Sequence, residues 1–217
     1  MRTLTLLGAL TGVALFAGVR LYATVLTVGL CVRYGVLRLP PELAALEVLS
    51  HTYVLVAAGA CAAAEFLADK IPWVDSLWDA VHAFVRPAGA ALIAFAAAGH
   101  LDPAVEVAVI LLCGGVAFSS HAAKSGARLL VNQSPEPFSN VLLSLFEDAA
   151  AVAGSYAVLA HPLAALVAVA AFLLLFCVLA RRVFRRLRGK IPPAGPDRAA
   201  GTRPARRPGR WRPSTAG

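Results

Sequence analysis

Charge is what this chain has least of. Only 15% of its 217 residues are Asp, Glu, Lys or Arg, whereas 59% are hydrophobic and the mean hydropathy is +0.73. A soluble domain carries about a quarter of charged residues, so the composition excludes an ordinary soluble fold and predicts a membrane protein. Acids are scarcer than bases, 12 against 20, but twelve of the bases lie in residues 181–217 with Asp197 as the sole acid there. Residues 1–180 are left with eight bases and eleven acids. The net charge of +8 therefore belongs to a tail, the body is not basic, and no nucleic-acid partner is expected. Cysteine is limited to Cys31, Cys61, Cys113 and Cys177, each alone in an apolar run, which excludes a CxxC redox or zinc motif and predicts buried, reduced thiols. Nucleophile elbow, phosphate loop, HExxH and haem motifs are all missing, and no cofactor is implied.

What is present is a succession of apolar runs. The first, residues 4–32, exceeds the roughly 20 residues a span needs and is too long for a signal-peptide core, so an uncleaved first span is expected. Arg20 interrupts it. A guanidinium at that depth is costly unless it faces protein, water or an anion, which marks residues 18–22 as a break or an inward-facing site; snorkelling from a tilted helix is the alternative. Residues 33–50, with Pro40 and Pro41, form a connector. A second, alanine-rich span over 51–68 has Glu65 near its end and Asp69 one turn on. An apolar run at 88–99 is marginal for a full span. Further spans follow from 104, over 138–160 with Glu147 and Asp148 two to three turns inside, and over 162–180 as a lipid-facing scaffold.

Two polar stripes stand out. A helix opening at Pro72 places Asp75, Asp79, His82 and Arg86 along one face, with Trp73, Trp78 and aliphatic residues opposite, as for an amphipathic helix at a membrane surface. If the helix from residue 104 continues past Phe118, His121, Lys124, Arg128 and Asn132 form a second stripe, mainly positive, which ends by Pro135. The acidic stripe is expected to face the basic one and make a single polar site. The fold class is thus all-α: a polytopic helical membrane protein with about six transmembrane or half-membrane helices plus an interfacial amphipathic helix. Residues 1–180 are the membrane domain and 181–217 a disordered, arginine-rich tail. The similarity of AGVRLYAT (17–24) to SGARLLVN (125–132) suggests an inverted repeat of 1–100 and 104–180.

EFLADKIPWVDSLWDAVHAFVRP (65–87), HAAKSGARLLVNQSPEPFSN (121–140) and GVRLYATV (18–25) resemble a bacterial integral-membrane family known as domain of unknown function 4126, over most of residues 10–178. The family's characteristic residues match Asp69, Lys70, Pro72, Asp75, Trp78, Asp79, His82, Arg86 and Pro87, and also His121, Lys124, Asn132 and residues 134–140. The resemblance implies a compact multi-helix membrane domain and carries no activity with it.

Three functions remain open. Intramembrane charge at Arg20, Glu65, Asp69, Glu147 and Asp148 favours a small transporter or permease for an ion or small anionic solute. The spacing of Asp75, Asp79 and His82 offers weak candidate ligands for a metal-dependent membrane enzyme acting on a phosphate-bearing or lipid substrate, with Lys124 and Arg128 on the phosphate. The third is a structural or assembly role. The expected location is the bacterial inner membrane, with lipid bilayer as the main partner, a cytoplasmic C-terminus and anionic headgroups against residues 181–212.

Overall fold

Leucine and alanine dominate the apolar runs, both are strong helix formers, and a chain in lipid must satisfy its backbone internally. A computed structural model describes residues 2–131 and 137–188, and among these every regular element is helical. The order is α1 (Arg2–Arg33), a 3₁₀ helix (Pro41–Ser50), α2 (Thr52–Ala68), α3 (Pro72–Ala98), α4 (Pro103–Val131), α5 (Pro137–Ala160) and α6 (Pro162–Arg188). Five of these elements begin on proline, whose fixed φ and missing N–H suit the first turn. Asp102 accepts from the Ala104 N–H at 3.0 Å and caps α4.

Among the described residues five helices are long and apolar enough to cross a membrane, and the 3₁₀ helix with α2, bent by 67°, makes a sixth candidate if taken as one broken span. The chain is a multi-pass membrane protein. Residues 1–178 form one compact unit and a second begins at Leu179. The tail expected to be disordered from residue 181 instead begins as helix, to Arg188, and its remainder from 189 lies outside the described residues.

Two elements differ from expectation. The connector is not loop: Leu43, Leu46 and Leu49 are buried along the 3₁₀ helix, and their spacing of three matches its three residues per turn. The amphipathic segment is not a separate interfacial helix either. It is the first half of α3, which runs unbroken through Pro87 to Ala98 and absorbs the marginal run at 88–99. Its amphipathicity is also inverted relative to a surface helix. Asp75, His82 and Arg86 are buried, while Trp73, Leu77, Val81 and Phe84 are exposed on the outer face, the arrangement lipid requires.

Helix α1 is the centre of the packing. It runs antiparallel to α5, with Gly12 against Val158, Phe16 against Gly154 and Arg20 against Asp148. A Cβ on Gly12 would come within 2.7 Å of the Val158 Cβ, so glycine is what allows the backbones this close. Gly18 does the same against Ala117 and Ser120 of α4. At Arg20 the helix breaks: φ −147° and ψ 85° are extended, not helical. Helix α6 exposes Leu163, Val167, Leu174 and Leu175, as a lipid-facing scaffold does. All four cysteines are free, but only Cys113 is buried, and Cys177 lies on the exposed face of α6.

Candidate functional site

The break in α1 dictates what gathers round it. Interrupting a helix at residue 20 deprives the preceding carbonyls of their i+4 donors, and in lipid something else must supply them. Lys124 Nζ does so for the Val19 carbonyl, at 3.2 Å.

Arg20, 1% exposed, sits at the same point and reaches four carboxylates. Its closest contact is Asp69; Nε lies 3.0 Å from Asp148, Nη2 3.6 Å from Glu147 and Nη1 3.8 Å from Glu65. Nη2 also donates to Ser144 Oγ at 2.9 Å, and that hydroxyl donates to Asp69 at 2.9 Å. Adjacent acids point in different directions on a helix, yet Glu147 and Asp148 share a partner. The wide guanidinium spans both.

Helices α3 and α4 run antiparallel, and this orders the pairing of the two stripes. Arg128 Nη1 is 2.5 Å from Asp75, and Ser125 donates to Asp79 at 3.3 Å. Arg86 Nη1 donates to His121 Nδ1 at 2.6 Å and lies 3.4 Å from Asp79. Arg128 also grips Glu147 through both carboxylate oxygens, at 2.8 and 3.2 Å, and Arg86 holds Glu65 at 2.6 Å. Lys124 stands between Asp79, at 3.9 Å, and Glu147, at 3.4 Å. The stripes and the intramembrane charges, separate in the sequence, thus form one continuous network.

His82 stands apart from this network. Its Nδ1 donates to the Trp78 carbonyl at 2.8 Å, its ring stacks on Trp78, and Nε2 faces the Tyr22 hydroxyl at 3.3 Å. Asp75, Asp79 and His82 therefore do not converge as metal ligands; among the described residues no group of three His, Cys, Asp or Glu side chains is arranged to hold a metal ion. Asn132 lies outside the described residues. Ser144, Ser125 and Tyr22 were missed. The first two were detectable, since Ser144 precedes Glu147 by three residues and Ser125 precedes Arg128 by three, placing each on a charged face.

Burying ions costs several kcal/mol apiece unless they are paired, and the pairing here has a charge surplus. Arg20, Arg86, Lys124 and Arg128 oppose Glu65, Asp69, Asp75, Asp79, Glu147 and Asp148. Among the described residues two carboxylates are in excess. Asp69, between α2 and α3, is the member outside the apolar spans: burial pushes its carboxyl up, but the charges of Arg20, Arg128 and Lys124 and the Ser144 hydrogen bond hold it below its ordinary value. A depressed carboxyl stabilises the fold fully above its unfolded value of about 3.9, and that stability is lost as pH falls through the lower folded value. Melting in detergent should accordingly weaken below about pH 4, with a shallower acid slope in Asp69→Asn; equal slopes in the two proteins would refute this.

Two cavities flank the network. One of about 400 Å³ lies between α3 and α4 and is lined by Asp75, Asp79, His121, Ser125 and Arg128. The other, of about 330 Å³, is largely apolar, with Leu15, Phe16, Phe146 and Phe172 in its wall and Lys124 and Glu147 as its charged groups.

A family model described as Domain of unknown function (DUF4126) matches residues 7–182. No curated protein and no solved structure matches the chain.

Proposed function

Since the chain belongs to the DUF4126 family, whose description names no activity, we propose from the site alone that it is a small transporter or permease that moves an ion, or a solute coupled to one, through the buried network. The observation that carries this is a charged network at a break in a central span, with two more carboxylates than basic side chains among the described residues. Discontinuous helices are how transporters build ion sites near the midplane, and an uncompensated carboxylate excess in a membrane interior is costly, which an entering proton or small cation would relieve. An anionic solute fits this surplus poorly. The first experiment is reconstitution into proteoliposomes with a lumenal pH dye and candidate solutes. Wild type is expected to dissipate an imposed ion gradient and Glu147→Gln to lose at least tenfold in rate; an undiminished rate in Glu147→Gln would remove that residue from the path.

The repeat is part of this proposal. Arg20 and Arg128 occupy equivalent places in the two similar segments, and each faces a glutamate of the following helix, Glu65 at 3.8 Å and Glu147 at 2.8 Å. Inverted halves meeting at a midplane site are a transporter design. For orientation, the run of Arg181, Arg182, Arg185, Arg186 and Arg188 that ends α6 supports a cytoplasmic C-terminus against anionic headgroups of the bacterial inner membrane. Alkaline phosphatase fused after residue 217 should then be inactive in cells; high activity would reverse the orientation.

One observation favours a structural role instead: the charged groups pair mainly with one another. Under that alternative Glu147→Gln changes melting behaviour and wild type moves nothing.

A further inference from the structure

The four basic side chains of the network are not held alike. Arg86 has Glu65 and His121 at 2.6 Å each, Arg128 has Asp75 at 2.5 Å and Glu147 at 2.8 Å, and Arg20 has Asp69, Ser144 and Asp148 within 3.0 Å. Among the described residues Lys124 has no carboxylate that close. Its nearest are Glu147 at 3.4 Å and Asp79 at 3.9 Å, and its shortest contact is the Val19 carbonyl at the break in α1. An ammonium on a flexible four-carbon stem can change partners and can give up a proton, neither of which a forked guanidinium does readily.

Position makes that difference useful. Asp79 lines the cavity between α3 and α4, and Glu147 lines the cavity bounded by α1 and α5. Helix α4 is the wall between them. His121, Ser125 and Arg128 face the first cavity; Ser120, Lys124 and Ala127 face the second. Among the described residues Lys124 is the only side chain whose charged group lies within 4 Å of a carboxylate in each cavity while carrying a releasable proton.

We propose that Lys124 is a proton relay between the two cavities, so that the ion this site moves is the proton. The step balances without any other reactant. The ammonium N–H bond breaks as an O–H bond forms on Glu147, leaving a neutral amine and a neutral acid. The amine then takes a proton from an Asp79 carboxyl protonated from the first cavity, and Glu147 releases its own into the second. One proton passes from the first cavity to the second per cycle, and the reverse order balances in the same way. Several groups set the potential at the amine: the Val19 carbonyl and Arg20 from α1, Asp69 after α2, Asp79 and Arg86 from α3, His121 from α4, and from α5 Glu147, which Arg128 also grips. The excess of two carboxylates leaves acceptors for the transferred proton.

This inference rests on the transport proposal, and one experiment separates them. Proteoliposomes with a lumenal pH dye are assayed with wild type, Lys124→Arg and Lys124→His, each normalised to the amount that stays monodisperse and melts cooperatively. Arginine keeps the charge but cannot release the proton; histidine can release it, at a lower pH. Lys124→Arg should lose about 100-fold in proton flux, the scale of losing a positioned acid–base group. Lys124→His should retain flux, with its pH profile moved towards acid. Undiminished flux in Lys124→Arg overturns the relay and leaves transport standing, whereas equal loss in both variants assigns Lys124 a role of shape alone and also overturns the relay. If Lys124→Arg does not fold, Lys124→His decides: flux with an acid-shifted profile supports the relay, and no flux overturns it. Wild type that moves neither protons nor solute overturns both proposals.

Discussion

Arg20→Met should not accumulate as folded protein. The guanidinium is the common partner of Glu65, Asp69, Glu147 and Asp148, and its removal leaves the network with three cations against six carboxylates. Removing one partner of a buried pair costs about 3–5 kcal/mol, and here one side chain serves several pairs. Total stabilities run to only about 5–15 kcal/mol. The backbone adds to the effect, because the extended conformation at residue 20 is held by side-chain contacts on both sides of the break. Methionine is a good helix former, so the variant also gains an incentive to close α1 into a continuous helix, which would displace Val19 from Lys124. Adding Asp69→Asn and Asp148→Asn should restore part of the stability by removing the orphaned charge. The measurement is the monodisperse fraction and melting temperature in detergent. Wild-type values for Arg20→Met would mean that water or lipid, and not the arginine, compensates those acids.

The membrane character was legible because it is compositional, and most helix starts were legible because proline marks them at Pro72, Pro103 and Pro162. The break at Arg20 was visible as a charge where a span allows none. What misled was the amphipathicity of residues 72–87. Periodicity shows that one face is polar, but not whether that face looks at water or at protein; in lipid the inward face is the polar one. Once the stripe is turned inward, its continuation through Pro87 follows, since the apolar face of both halves then meets the same surroundings. The union of the site was hidden for another reason. Glu65 and Arg86, or Arg128 and Glu147, lie about twenty residues apart, and Arg20 and Asp148 are separated by most of the chain. Such pairings are set by how α1, α4 and α5 pack through Gly12, Gly18 and Gly154, a matter of shape that no stripe records. Asp79 and Arg128 illustrate the limit: the stripes do face each other, but which members pair is set by the antiparallel crossing, which gives Arg128 to Asp75 and brings Asp79 to Lys124, Arg86 and Ser125.

The Glu65–Arg86 pair distinguishes a network kept for stability from one kept for transport. Both side chains are essentially fully buried and meet at 2.6 Å. Glu65→Leu leaves the Arg86 charge with His121 at 2.6 Å and Asp79 at 3.4 Å; Arg86→Met leaves Glu65, among the described residues, with Arg20 at 3.8 Å as its basic partner. Each single change is expected to cost about 3–5 kcal/mol, with Arg86→Met the worse, because it also deprives His121 of its donor. Replacing a buried ion pair by apolar groups of similar volume is often neutral or stabilising, so Glu65→Leu with Arg86→Met should recover to within about 1–2 kcal/mol of wild type, less the cost of the His121 contact. The coupling, read from a double-mutant cycle of melting free energies, should be at least about 2 kcal/mol. If the network only holds helices together, neither wild type nor that double variant moves protons, and the two differ in melting alone. If it carries ions, the double variant is folded but has lost proton flux, because the path has been filled with methyl groups. A folded double variant with undiminished flux would confine the path to Asp79, Lys124 and Glu147, whereas a double variant less stable than either single change would show that the pair is not an isolated unit of the network.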